Sequence, residues 1–214
     1  MSALIKITSN DRQCLRRQLK RAASSDPGLV KVIEQIGYPE PRKRHADFAT
    51  LLQVIISQQL STLAAAAINA KVTRCCGGYP TWRKILNRSD QQLRDCGLSW
   101  RKVEYAKGLA QMFRSGELNI AEMHGLDSAE VIERLIKVRG FGRWSGEIFA
   151  MFALGHQDIY PSDDLALQIA LQRYLALKTK PTGKETALIA QRWSPQRTAV
   201  SLLMWKYYGS GTLE

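Results

Sequence analysis

Apolar residues in this 214-residue chain recur three and four positions apart and almost never alternate, which is the period of helices. Sustained Val/Ile/Thr alternation is missing, so the pattern predicts an all-α protein. The strongest stripe is Phe48, Leu51, Leu52, Ile55 and Ile56, a core helix predicted from Asp47 to Gln58. Ser61 or Thr62 then caps a helix with five alanines between positions 64 and 70, a composition suited to close helix–helix packing. Val131, Ile132, Leu135 and Ile136 share another face, behind a capping box of Asp127 and Glu130. Gly140-Phe-Gly142 stops that helix with two residues free to adopt φ > 0. A second apolar helix follows, with Ile148, Phe149 and Phe152 on one side. The unit reads as helix, tight glycine hairpin, helix.

Around it the pattern predicts a basic helix from Asp11 to Ala23 and another from Asp26 to Gly37, with Asp26 as N-cap and Pro27 at the first helical position. Pro39–His45 is a linker whose basic run is most simply a solvated loop. Gly77-Gly78-Tyr-Pro80 breaks the chain, and short helices are expected near Thr81–Leu86 and Ser89–Cys96. Gly97–Lys102 is a cap and turn leading into Val103–Arg114. A helix at about 163–174 and two closing helices near Gly183–Trp193 and Pro195–Tyr208 complete the chain. It contains no internal repeat and no low-complexity segment.

Charge narrows the class. Lys and Arg number 31 against 19 Asp and Glu, a formal net charge of +12; such an excess suits a polyanionic partner, and composition alone leaves that reading about even with a merely solvated basic surface. Cys14, Cys75, Cys76 and Cys96 show no C-x-x-C spacing, so all four are expected as free thiols in a reducing compartment. Met1–Asn10 lacks the apolar core of a signal peptide and no run approaches a membrane span. A soluble, intracellular protein is expected.

Two stretches offer chemistry. Backbone N–H groups of a glycine hairpin at a helix N-terminus form a phosphate site. Ile159-Tyr-Pro-Ser-Asp-Asp-Leu165 brings Asp163 and Asp164 to a new helix start, where the dipole favours an anion. Twin carboxylates at such a position are otherwise caps. His45, His124 and His156 show no ligand spacing.

Gly140-Phe-Gly-Arg-Trp144, followed by Pro161-Ser-Asp-Asp-Leu165 and preceded by Ile55-Ile-Ser-Gln-Gln-Leu60, resembles the helix-hairpin-helix DNA glycosylases, and within them the DNA-3-methyladenine glycosylase II family. The resemblance covers roughly residues 26 to 208. It implies a single compact unit of two helical lobes with a cleft between them, one lobe of 47–157 and the other of 10–46 plus 158–214, without the β-rich N-terminal domain of larger members. The implied activity is hydrolysis of the N-glycosidic bond of alkylated purines such as 3-methyladenine or 7-methylguanine in flipped-out form. The partner would be double-stranded DNA containing a damaged base, and the protein a monomer, in the cytoplasm (nucleoid) of a bacterium, the favoured setting, or the nucleus of a eukaryote. Other readings are a glycosylase for uracil, hypoxanthine or ethenoadenine, or a non-enzymatic DNA-binding module.

Residue by residue, the resemblance makes Asp164 the carboxylate that stabilises the oxocarbenium-like transition state, leaving Asp163 as a capping residue. Trp144 stands where bifunctional relatives carry a lysine nucleophile, so water would attack and lyase activity would be absent. Trp144, Trp205, Phe149 and Leu165 would line the base pocket, with aromatic faces attracting a cationic base; Ile148 and Leu165 replace aromatics common in the family. Trp193 reads as core, and Trp205 reads as core if it is not pocket. Gln59, with Leu60 beside it, would be the wedge that fills the gap in the stack, unless Gln58 and Gln59 merely cap a helix. Gly140, Gly142, Arg143, Lys102 and Lys137 would grip the DNA backbone. The main-chain carbonyls of Ile136, Val138 and Gly140 match a monovalent-cation site, for Na+ or K+. No cofactor is required, and the iron–sulfur loop of related endonucleases is not expected because no cysteine follows Cys96. Arg139 stands where proline is common, and Arg197 matches a family position with a structural character.

Overall fold

The computed structural model describes residues 9–211, all of whose regular structure is helical. These residues divide into two compact units, one running from Arg44 to Leu154 and the other combining the chain up to Lys43 with the chain from Gly155 onward. No helix among them is long and apolar enough to cross a membrane.

The first unit is built on α3 (Phe48–Ser57), capped by Asp47 through a bond from Thr50 N–H. Seven of its ten residues are buried, too many for an amphipathic surface helix and the mark of a central one. Around it stand α4 (Thr62–Cys75), α7 (Trp100–Ser115) and α9 (Arg143–Phe152). The short α5 (Trp82–Leu86) and α6 (Asp90–Asp95) pack on α7, and α8 (Ser128–Ile136) pairs with α9. Ser61, not Thr62, caps α4. The five alanines of that helix do not make a packing seam: only Ala65 is buried, and Ala66 and Ala67 face solvent. Their helix propensity, rather than close approach, accounts for them. The helix α7 begins three residues before the predicted start because Ser99 accepts Lys102 N–H and caps it. Ala121–Gly125 forms a 3-10 turn that the periodicity did not announce. The four cysteines are free, and burial together with Cys75 pushes the Cys96 thiol up to about 11, far from a reactive thiolate.

The second unit is centred on α12 (Arg197–Ser210), with Thr198 through Met204 all buried. It packs against α1 (Ser9–Ser25), α2 (Gly28–Ile36) and α10 (Leu165–Tyr174), while α11 (Gly183–Ala190) lies against α10 and runs into a 3-10 turn, Gln191–Trp193. Asp26 does not cap α2; the N-cap is Pro27, without a side-chain bond. The Asp26 carboxylate instead accepts the Trp193 indole N–H at 2.9 Å and the Tyr174 hydroxyl at 2.5 Å. Trp193 is fully buried, as its core reading required, and Tyr160 and Tyr174 pack on its ring. Buried donors without an acceptor are expensive. Asp26→Ala is therefore expected to lower unfolding free energy by about 1–3 kcal/mol in urea titration, whereas a merely local cap would cost about 1 kcal/mol.

Candidate functional site

In the first unit the hairpin is Lys137–Gly142, between α8 and α9. Val138 N–H donates to Leu135 O at 3.0 Å and Phe141 N–H to Val138 O at 2.9 Å, closing two successive turns. Only Gly140 takes the left-handed conformation, φ +91. Gly142 does not; its φ of −99 and ψ of 176 are open to any residue. A Cβ at Gly140 would lie 2.2 Å from Cδ2 of Tyr105, whereas one at Gly142 would meet nothing within 4 Å. The first glycine is therefore required by the fold, and the second keeps a surface clear. Gly142 is the N-cap of α9 and supplies no side-chain cap. By contrast Asp127 caps α8, reciprocated by Glu130 in a capping box. An uncapped helix start presents N–H groups and positive dipole to an anion.

Contacts that the sequence did not reveal lock this hairpin to α3. Gln58 donates its side-chain amide to Gly140 O at 2.7 Å and to Ser145 Oγ at 3.4 Å. Lys102 donates to Ile56 O at 2.7 Å and Gln58 O at 2.8 Å, and burial holds its ammonium below its ordinary value. Two of its three protons thus cap the C-terminal end of α3. Beyond the lock, Gln59 stands exposed with φ +55, a non-glycine residue in the left-handed region. Leu60 beside it is also exposed. Strain of this sort collects at functional positions.

The remaining residues of this half are spread along α8 and α9. Lys137 is exposed at the C-cap of α8. Arg143 is exposed and pairs through Nε with the buried Glu147 at 3.0 Å. Arg139 pairs with Glu104. Trp144, one residue into the first turn of α9, is half-buried. Phe149 is 1 % exposed and serves as core.

In the second unit the element that matters is the loop from Gly155 to Asp164, and α12 holds it along one face. Arg197 forks onto Asp158, Nε to Oδ1 at 2.7 Å and Nη2 to Oδ2 at 3.0 Å, joined by Ser194 Oγ at 2.7 Å. Burial opposes the Asp158 charge, but the bonds from Arg197 and Ser194 outweigh it and leave this carboxyl below its usual range. Thr198 Oγ1 donates to His156 O and accepts Ile159 N–H, and Ser201 Oγ reaches Ile159 O. Trp205 then donates its indole N–H to Asp164 Oδ1 at 3.1 Å. Positions 198, 201 and 205 are three and four apart, so one helical face carries all three.

Asp164 is the N-cap of α10: its Oδ1 also accepts Leu167 N–H at 3.0 Å. The capping role expected of Asp163 belongs to Asp164, and Asp163 is solvent-exposed. Two N–H donors and a helix N-terminus thus converge on one carboxylate. Leu165, next in the chain, is 59 % exposed. Trp205 carries the Arg42 guanidinium over its ring, 5.5 Å from the centroid. Among the described residues the buried Tyr160 hydroxyl has no hydrogen-bond partner, and burial, with Asp164 adding to it, pushes its pKa upward.

Comparison with known proteins follows the same lines. The family described as HhH-GPD superfamily base excision DNA repair protein matches residues 52–196. A Bacillus subtilis protein bearing the DNA-3-methyladenine glycosylase name is 29 % identical over 73 % of this chain, which spans 57 % of that protein's length. The crystal structure of a DNA-3-methyladenine glycosidase from Bacillus halodurans is 32 % identical with a TM-score of 0.80, covering 92 % of this chain and 91 % of that one. The 3-methyladenine DNA glycosylase of Schizosaccharomyces pombe, in complex with abasic DNA, is 27 % identical with a TM-score of 0.82, covering 89 % and 95 %.

Proposed function

The chain belongs to the HhH-GPD superfamily of base excision DNA repair proteins, and from that premise we propose that it is a monofunctional DNA glycosylase acting on alkylated purines in double-stranded DNA. The observation that carries the reading is Asp164, a carboxylate anchored through Oδ1 by Leu167 N–H and the Trp205 indole. Breaking a base–sugar bond builds positive charge on the sugar, and a fixed anion stabilises that charge without reorganising during the step. Alkylated purines such as 3-methyladenine and 7-methylguanine already carry positive charge and leave without a general acid. Water completes the hydrolysis: its oxygen bonds to the sugar carbon as the base departs with the bond's electron pair, and one of its protons passes to solvent.

The hairpin supports the DNA-binding half of the reading. Uncapped N–H groups at the start of α9, with Gly142 keeping the approach clear, suit a backbone phosphate. Arg143 and Lys137 add positive charge nearby, and Lys102 acts by holding the end of α3. The carbonyls of Ile136, Val138 and Gly140 are neutral oxygen donors of the kind that replace an alkali ion's hydration shell. Those of Val138 and Gly140 each accept one hydrogen bond, which leaves a lone pair apiece. The set fits a Na+ or K+ ion, which would add positive charge at the hairpin. Removing the base from the stack requires a filler, and the exposed Gln59 with Leu60 provides one. The protein works as a monomer on this reading.

Trp144 defines the chemistry by what it lacks. An indole cannot form a Schiff base, so no amine nucleophile stands at that hairpin position. Incubated with methylated DNA, the protein is expected to release 7-methylguanine and 3-methyladenine and to leave strands intact until alkaline heating. Borohydride is expected to trap no covalent adduct. An efficient trapped adduct would overturn the monofunctional assignment, and no base release at all would overturn the glycosylase.

A further inference from the structure

The loop Pro39–His45 reads from the sequence as solvated and basic, yet one of its cations is committed to the catalytic half described above. Arg42 lies with its guanidinium carbon 5.5 Å from the centre of the Trp205 ring. Trp205 in turn bonds Asp164 Oδ1 through its indole edge. Asp164 is also the charge that acts on Arg42: protein crowding pulls the guanidinium below its ordinary value, and Asp164 pushes it back up. Arg42 is nevertheless an exposed residue. Cation, aromatic face and carboxylate therefore form one cluster in a single unit, and the cation is the protein's own.

A ring face holding a guanidinium is already engaged in the cation–π attraction that a charged base would seek. A carboxylate under the influence of that guanidinium stabilises a neighbouring positive sugar less than it would alone. Taking Asp164 and Trp205 as the reacting half of the glycosylase proposed above, we propose that Arg42 is a specificity-determining residue: it holds, at Trp205 and within electrostatic reach of Asp164, the place that positive charge on the substrate must take. Charged ligands have to displace or share with Arg42, and neutral ones do not. The arginine thereby narrows the advantage that cationic lesions would otherwise enjoy, and restrains attack on undamaged nucleotides whose transition state is equally cationic.

The test compares DNA carrying a pyrrolidine abasic analogue, which is cationic, with DNA carrying the neutral tetrahydrofuran analogue. The ratio of the two affinities is measured for the unaltered protein, Arg42→Gln and Arg42→Lys, with melting temperatures alongside. In Arg42→Gln the preference for the cationic analogue is expected to rise roughly tenfold, the scale of one cation–π contact and one screened charge pair. Arg42→Lys, which retains the charge, is expected to stay within about twofold of the unaltered protein, because a charge-based effect depends little on guanidinium shape. An unchanged or reduced ratio in Arg42→Gln overturns the proposal; equal weakening on both analogues shows that Arg42 is an ordinary DNA contact. The affinities require no turnover. A protein that releases no base yet shows the tenfold shift would defeat the glycosylase reading and leave the role of Arg42 standing.

Discussion

Asp164→Asn is expected to retain fold and DNA binding while losing about a thousandfold in single-turnover base release, the scale at which preorganised electrostatic stabilisation acts. Asparagine keeps an oxygen in the position of Oδ1, so it can still accept from Leu167 N–H and from the Trp205 indole. Both the α10 cap and the link to α12 survive. Only the negative charge is lost, and with it the partner of the cationic sugar. Melting temperature and affinity for tetrahydrofuran-containing DNA are expected to stay close to those of the unaltered protein. Asp163→Asn is the contrast: that side chain is exposed and does not cap the helix, so its base release should be unaffected. The opposite pattern, an inactive Asp163→Asn beside an active Asp164→Asn, would transfer the role to the neighbour.

Gly140→Ala and Gly142→Ala should part company. At position 140 a Cβ would meet Cδ2, Cγ and Cε2 of Tyr105 at 2.2, 2.5 and 2.7 Å. These atoms include Cγ, the root of the ring, so relief requires a change of the Tyr105 χ1 rotamer or a shift of α7. The backbone there also has φ +91. Strain and overpacking together are expected to cost about 3 kcal/mol and to weaken DNA binding by distorting the hairpin. At position 142 the backbone is extended and the added carbon enters open space, so stability should fall by no more than about 1 kcal/mol, the loss of a favoured N-cap residue. Affinity for abasic-analogue DNA should nevertheless fall, because the methyl group intrudes where a phosphate approaches. Thermal melts paired with binding titrations decide it. Unimpaired DNA binding by Gly142→Ala would show that the start of α9 is not the phosphate grip.

The helices and most of their ends are legible in the order of residues alone. Asp47 caps α3, and Asp127 with Glu130 caps α8. Local rules suffice there because a cap and its partner lie three residues apart, and a 3.6-residue period is visible in any window of two turns. The same locality explains the failures. Asp26 before Pro27 has the form of an N-cap, but its carboxylate serves Trp193, 167 positions away. Local rules do not separate Asp163 from Asp164 as caps; the Trp205 indole, 41 positions on, bonds Asp164. Nothing near Lys102 announces the carbonyls of Ile56 and Gln58 at the end of α3, nor does anything near Gln58 announce Gly140. Arg42 is one of several cations in a loop until α12 brings the Trp205 ring beneath it. Hydrogen bonds between distant segments leave no periodic trace, since each is one polar residue meeting one backbone or ring atom. Residue types and spacing were enough to announce a glycine hairpin between two helices and a carboxylate at a helix start. Which donor serves which acceptor, and which cation faces the carboxylate, only tertiary packing decided.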